Sequence, residues 1–324
     1  MLVSVLIPTY KRLQFLKRAV EDVFAQTFPD WEIVVSDDEV GEGETWEWLK
    51  VMAAKDQRIR IFKNEGPKHG QVFNVNNGLK ECRGEWIKVL FDDDRMLPEC
   101  LEKMVAAARM VPDAAMIGCR AQKWRNGVYV GDEKNFARGD IDVLSKDDCQ
   151  MAILKFDRWN GRTPTHMLIR NDVIRAGALM PVDGRYKVPV DVVWFSRILV
   201  LGAYAMMRDV LVQQREGEVA SVTSGARADE QSLDRELFLA YRDIYDELPD
   251  EGKKCFPWRV VEGEINGIRG MYHLKCGRIG LGLTMIARML KSLRASFLTL
   301  RWFMQETFPR RFNATQRELL VVSA

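Results

Sequence analysis

No apolar run in this 324-residue chain approaches the roughly 18 residues a helix needs to span a bilayer, so no segment is expected to cross a membrane. The six cysteines, Cys82, Cys100, Cys119, Cys149, Cys255 and Cys276, are scattered, with no CxxC pair and no histidine at ligand spacing. That excludes a zinc site or a disulfide framework from the expectations and makes a reducing cytoplasm the default compartment. Neither sign of charge dominates: 48 basic residues face 46 acidic ones, so there is no global electrostatic case for nucleic acid. The opening residues Leu2-Val3-Ser4-Val5-Leu6-Ile7 read directly as a strand, without a basic n-region or small-residue cleavage site, and a secretory signal is not expected there. No internal repeat occurs. Apolar residues make up 47% of the chain, enough to bury the core of one large or two smaller globular domains.

The most informative stretch is Glu85-Trp86-Ile87-Lys88-Val89-Leu90-Phe91-Asp92-Asp93-Asp94, an apolar run broken only by Lys88 that leads into three consecutive carboxylates. Parallel strands buried on both faces read as near-continuous apolar runs. Ligands of open α/β sheets collect beyond the carboxyl ends of such strands. Three adjacent anions raise one another's pKa, a cost most simply offset by a bound cation. Mg²⁺ and Mn²⁺ take one or two carboxylates and complete their shell with water and phosphate, which a nucleoside diphosphate supplies. An acidic turn with Asp94 capping a helix before Pro98-Glu99-Cys100-Leu101 is the alternative reading.

Upstream, strands alternate with helices, which predicts a mainly parallel, three-layer α/β sheet. Leu2 to Ile7 is followed by Leu13, Leu16, Val20, Val23 and Phe24 at helical spacing. Trp31-Glu32-Ile33-Val34-Val35 is a second strand ending in Ser36-Asp37-Asp38, with a helix around Trp46 to Met52 behind it. Ile59-Arg60-Ile61-Phe62 is a third, and a helix over Gln71 to Lys80 precedes the aspartate strand. Two strands thus end in adjacent aspartates, placing Asp37, Asp38 and Asp92 to Asp94 at one crevice; turn and helix-cap duty remains open for the first pair. Past Ala115 the pattern is irregular, with short strands at Met116 to Cys119, Val128 to Val130 and Met167 to Arg170, and a helix from Asp191 to Leu199.

The segments Val5-Leu6-Ile7-Pro8-Thr9-Tyr10-Lys11-Arg12, Gln26-Thr27-Phe28, Glu32-Ile33-Val34-Val35-Ser36-Asp37-Asp38 and Asp92-Asp93-Asp94, in this order, resemble family 2 of the inverting glycosyltransferases, which carry the nucleotide-sugar-binding GT-A fold. The resemblance covers roughly residues 3–223, with a nucleotide-sugar half to about residue 114 and an acceptor half beyond it. It implies a metal-dependent transfer of a sugar from a nucleotide sugar, UDP-linked by expectation, to a saccharide or glycolipid hydroxyl. Pro8, Thr9, Tyr10, Asp37, Asp38, Asn76 and Asp92 would bind the nucleotide sugar, with Thr9 and Asp38 at the base; a buried cap is the other role for Asn76. Asp93 and Asp94 would hold Mn²⁺ or Mg²⁺, aided by Glu218 where relatives carry a histidine, unless Glu218 belongs to a plain surface loop. Where the family usually has Asp-Asp-Gly-Ser, this chain has Asp37-Asp38-Glu39-Val40.

Val190-Asp191-Val192-Val193-Trp194-Phe195-Ser196-Arg197 resembles the family's Glu-Asp-x-x-Trp-x-x-Arg helix start, with valine for the glutamate. Asp191 is then the general base; without the resemblance it reads as an ordinary helix N-cap. Arg162, Thr163, His166 and Trp194 fall where the family places acceptor and donor-sugar contacts, although His166 is also an unremarkable strand residue. A polar linker from Ser224 to Glu230 introduces a mostly helical extension, residues 224–324. Between about Ile268 and Arg311 basic residues outnumber acids and interleave with large apolar ones, a pattern that suits a membrane interface at the inner face, the catalytic domain or a second subunit. A nucleotidyltransferase would need a Gly-rich, basic signature after the first strand, which Pro8-Thr9-Tyr10-Lys11-Arg12 does not supply. A sugar-nucleotide-binding relative that has lost turnover need not retain Asp191.

Overall fold

The computed structural model describes residues 1–133, 137, 139–154, 163–186, 189–216 and 230–291, and divides into two compact units, Met1–Ala240 and Tyr241–Ala324. In the first unit β1 (Val3–Thr9), β2 (Trp31–Asp37), β3 (Ile59–Lys63) and β4 (Trp86–Val89) run parallel, with β1 between β2 and β4 and β3 outermost. All seven residues of β1 and of β2 are buried, which is why both read as apolar runs without alternation. Helices α1 (Leu13–Phe24), α2 (Glu44–Lys55) and α3 (Gln71–Glu81) make the crossovers. Leu16, Val20 and Val23 of α1 and Leu49 of α2 pack with Val3, Val5, Ile7, Ile33 and Val35 on one sheet face. Gly78 of α3 lies against Leu6 and Ser36 on the other; a Cβ there would collide with Leu6, so glycine is what lets this helix sit down.

The sheet continues past β4 in a mixed pattern. β5 (Arg95–Met96) and α4 (Cys100–Met110) lead to β6 (Ala114–Arg125), which turns through Asn126 and Gly127, both at positive φ, into β7 (Val128–Asp132). Asn-Gly suits that two-residue turn because both residues tolerate positive φ. β8 (Ile141–Leu144), α5 (Lys146–Leu154), a single 3₁₀ turn (Pro164–His166), β9 (Met167–Arg170), α6 (Asn171–Arg175), α7 (Val190–Leu199) and β10 (Ala203–Glu216) complete the unit. The order is β3-β2-β1-β4-β9-β6-β10-β5, with β7 and β8 attached to β6 and β10. β9 runs antiparallel between β4 and β6, while β10 is parallel to β6. Hence the start of β9 and the end of β10 arrive at the sheet edge where β1, β2 and β4 end.

The stretch that reads as irregular in sequence is therefore built on two long strands. β10 escapes pattern reading because Ala-Tyr-Ala-Met-Met lacks β-branched residues and its register shifts between Met206 and Val210, breaking the period-2 signal. Nor do the clustered acids occupy helix N-caps: those positions are Glu99 rather than Asp94 for α4, Gly43 for α2 and Pro189 for α7.

The second unit takes in the last turns of α8 (Glu230–Asp246), then α9 (Asp250–Cys255), α10 (Trp258–Lys275) and α11 (Ile279–Met289). Gly270 and Gly282 bring α10 and α11 together closely enough for each position's added Cβ to meet the other's carbonyl. Among the described residues the extension is helical, as the sequence predicts. No helix among the described residues is long and apolar enough to cross a membrane.

Candidate active site

The aspartates after β4 gather side chains from four other segments of the first unit. Thr9, the last residue of β1, donates its hydroxyl to Asp92 Oδ2 at 2.8 Å. Arg12, just beyond it, bridges Asp92 Oδ1 at 3.3 Å and Asp93 Oδ2 at 3.2 Å. Arg215, near the end of β10, brings its guanidinium to 3.6 Å from the same Asp93 Oδ2, while its backbone N–H donates to Asp94 Oδ1 at 3.0 Å. Thr165, from the turn before β9, donates to Asp94 Oδ2 at 2.6 Å and accepts the Phe91 N–H. Lys88, wholly buried in β4, donates to the Thr165 carbonyl and so holds that turn against the aspartate strand.

Burial is the main influence on these acids. It pushes the Asp92 carboxyl up to about 6, aided by the Asp93 charge and opposed by Thr9 and Arg12. It pushes Asp94 up to about 7, again with Asp93 adding to the rise and Thr165 and the Arg215 N–H opposing it. Asp93 keeps 19% of its side-chain surface and is the most open of the three.

The second acid pair closes β2 beside the end of β1. Asp37 is fully buried, receives Lys63 Nζ at 3.1 Å and the Glu39 N–H at 3.1 Å, and so anchors the loop after β2. Asp38 Oδ2 accepts the Gly70 N–H at 2.7 Å; Oδ1 accepts the Asn64 amide at 2.6 Å and lies 3.2 Å from His69 Nδ1. Gly70 sits at φ +111, a conformation open to glycine, which aims that N–H at the carboxylate. A carboxylate has about four acceptor positions, so Asp38 retains capacity for one more donor. Pro8 and Thr9 are buried beside it, whereas Tyr10 is 53% exposed at the rim.

Asp191 lies in the first turn of α7, the helix that leads into β10. Its Oδ1 is buried without a hydrogen-bond partner among the described residues, and burial alone pushes its carboxyl up to about 7. Trp194 is fully buried, stacks on Phe195 and donates its indole N–H to the Ala178 carbonyl at 2.8 Å. Asn76 spends both ends of its amide on the Met180 peptide, at 2.9 and 3.0 Å. Asn76 and Trp194 thus fasten residues 178–180 between α3 and α7, and through them position the helix that carries Asp191.

His166 is fully buried, with Nδ1 3.4 Å from Glu133 Oε2, and takes no part in the cluster around Asp93. Thr163 holds the His166 N–H with its carbonyl, closing the turn that presents Thr165. Arg162 and Glu218 lie outside the described residues. Arg12, Thr165 and Arg215 are the side chains that sequence reasoning did not assign. One signal pointed to them: three adjacent carboxylates need cations and donors, and only strand ends can deliver those.

These carboxylates suit a hard divalent cation of a particular kind. Among the described residues no three acidic, histidine or cysteine side chains converge into a ready-made cation site. A shell supplied chiefly by the protein does not fit. One in which Asp93 gives a carboxylate and the remainder comes from water and phosphate does fit.

A family model described as "Glycosyl transferase family 2" matches residues 4–175. The chain belongs to glycosyltransferase family 2. Among curated relatives of this family 2 chain, the GalNAc(5)-diNAcBac-PP-undecaprenol beta-1,3-glucosyltransferase of Campylobacter jejuni is 36% identical over 105 residues, 32% of this chain and 34% of that one. The UDP-Glc:alpha-D-GlcNAc-diphosphoundecaprenol beta-1,3-glucosyltransferase WfgD of Escherichia coli is 30% identical over 105 residues, 32% of this chain and 40% of that one. The matched stretch therefore spans 34 to 40% of the length of these relatives. Among solved structures, S. aureus TarS 1-349 in complex with UDP-GlcNAc superposes with a TM-score of 0.59 at 14% identity, covering 90% of this chain and 92% of that one. The Pyrobaculum calidifontis mannosyltransferase PcManGT in complex with GDP-Man and Mn²⁺ gives 0.58 at 14% identity, covering 98% and 84%. At such identities the likeness shows the fold, which is GT-A.

Proposed function

We propose that this chain moves a sugar from a UDP-sugar to a hydroxyl of a lipid-linked saccharide with inversion, and that Asp191 is the general base. The observation that carries the reading is Asp191 itself: a carboxylate in the first turn of α7 whose Oδ1 is buried without a hydrogen-bond partner among the described residues. An orphan buried acceptor is costly unless something arrives to donate to it, and an acceptor hydroxyl would. Thr9 and the spare acceptor position of Asp38 line the place for the base, where a carboxylate suits the imide N–H of uracil. Arg12 and Arg215 lie where a diphosphate reaching the Asp93 carboxylate would meet them. Asp191 removes the proton of the acceptor hydroxyl as its oxygen attacks the anomeric carbon from the side opposite the diphosphate. A divalent cation, Mn²⁺ or Mg²⁺, held through Asp93 with Asp94 behind it, would offset the charge that develops on the leaving diphosphate.

The lipid-linked acceptor rests on the two undecaprenol-directed relatives and on α11. There Ile279, Leu283 and Leu290 are 63, 56 and 59% exposed, at spacings that align them on one helix face. The sequence carries no Asp or Glu from Ile265 to Gln305. We read this as a surface for the inner face of the membrane, and binding to anionic but not neutral vesicles is the result expected of it. The function itself is tested by measuring hydrolysis and thermal stabilisation across a panel of nucleotide sugars, with Mn²⁺ and with EDTA. Uridine nucleotides should stand out, and Asp38→Ala should remove that preference by raising KM more than it lowers kcat. Equal responses to all nucleobases would refute the assignment.

A further inference from the structure

The cations at the Asp93 carboxylate have a consequence for the order in which ligands enter. One oxygen, Asp93 Oδ2, lies 3.2 Å from Arg12 Nη1 and 3.6 Å from Arg215 Nη2. Arg12 also reaches Asp92, and the Arg215 guanidinium stacks over the Phe15 ring at 4.1 Å from its centroid, which fixes it over the cluster. Two guanidinium charges therefore offset most of the charge of the three carboxylates in the protein without a ligand. A divalent cation entering alone would meet both arginines across a single carboxylate, in a half-buried place where charges are poorly screened. A nucleoside diphosphate entering alone would meet the acids. The two together restore the balance, since the diphosphate is anionic and the guanidinium of arginine matches phosphate oxygens in pairs.

We infer that Arg215, with Arg12, makes this site bind a divalent cation and a nucleoside diphosphate more tightly together than singly: the guanidinium disfavours the cation alone and passes from Asp93 to the diphosphate when both arrive. Arg215 is then a positioning residue of the donor site, and the coupling must be reciprocal, each ligand raising the affinity for the other by one factor. The inference rests on the nucleotide-donor reading above. It adds that side-chain charge at position 215, rather than the fold of β10, sets the coupling. The Arg215 backbone N–H that holds Asp94 remains in the glutamine and lysine variants, which separates the two.

The test is calorimetry of the whole chain with Mn²⁺ alone, UDP alone and UDP in the presence of Mn²⁺, for the wild type, Arg215→Gln and Arg215→Lys. The wild type should take up Mn²⁺ weakly by itself and at least about tenfold more tightly with UDP, within the roughly 5- to 150-fold range of ordinary coupling between sites. Arg215→Gln should bind Mn²⁺ alone more tightly than the wild type and UDP–Mn²⁺ less tightly, so that the coupling collapses. Arg215→Lys should restore most of it, and all three should melt at similar temperatures. Wild-type-like coupling in a folded Arg215→Gln variant would overturn the inference while leaving the nucleotide reading in place. A wild type that binds no UDP with Mn²⁺ present would overturn both.

Discussion

Asp191→Asn is expected to abolish transfer, lowering the rate on the order of 10²–10⁴-fold, while leaving UDP-sugar affinity unchanged. The amide keeps the size and polarity of the side chain but cannot take a proton, and the residue makes no capping hydrogen bond whose loss would unsettle α7. The pH dependence has a definite sign. The base works ionised, and burial places its carboxyl near 7, so the wild-type rate should rise through about pH 7 and level off above it. Stability should move the opposite way. The unfolded carboxyl titrates near 4, so the native state holds the proton between about pH 4 and 7, and this contribution, full below that window, is lost as pH rises through it. Asp191→Asn should therefore gain thermal stability relative to the wild type at pH 8 compared with pH 5. The decisive measurement pairs initial transfer rate with donor affinity on one preparation; near wild-type turnover would make Asp191 structural and turn attention to Asp183, just before the same helix.

Asp93→Ala is expected to lower metal-dependent UDP affinity by about a hundredfold or more, since losing even groups that merely orient metal ligands costs roughly 10–100-fold. The fold should survive. Asp93 is the most exposed of the three acids, and its removal relieves the repulsion that adds to the effect of burial on Asp92 and Asp94. It leaves Arg12 still paired with Asp92. Titration of UDP with Mn²⁺ and with EDTA checks this, and equal wild-type affinity in EDTA would remove the cation from the mechanism.

The difference between the two halves of the first unit explains what could be read in advance. β1, β2 and β4 are short, parallel and buried on both faces, so each writes itself as an apolar run that stops where its ligand-facing residues begin; Thr9, Asp38 and Asp92 were legible for that reason. β10 carries Met, Ala and a register shift in place of alternation, so its strand and its Arg215 were not. Asn76 and Trp194 sit in recognisable motifs, yet their side chains face the peptides of Met180 and Ala178. Motif position states that a residue matters there, but which of its neighbours it touches depends on how the chain folds back.

From sequence alone came the alternation of strand and helix, the acid clusters at strand ends, the helix start bearing Asp191 and the basic, apolar extension, all of them properties of residues within a few positions of one another. The tertiary structure decided which cations answer those acids. Arg12, Thr165 and Arg215 reach the aspartates across 71 to 122 positions of chain; the pairing of β1 with β4 brings Arg12, and the insertion of β9 antiparallel beside β4 and of β10 parallel to β6 carries Thr165 and Arg215 to the same edge. Local patterning sets what each segment is; long-range register sets what it meets, and electrostatic balance is made at that second level.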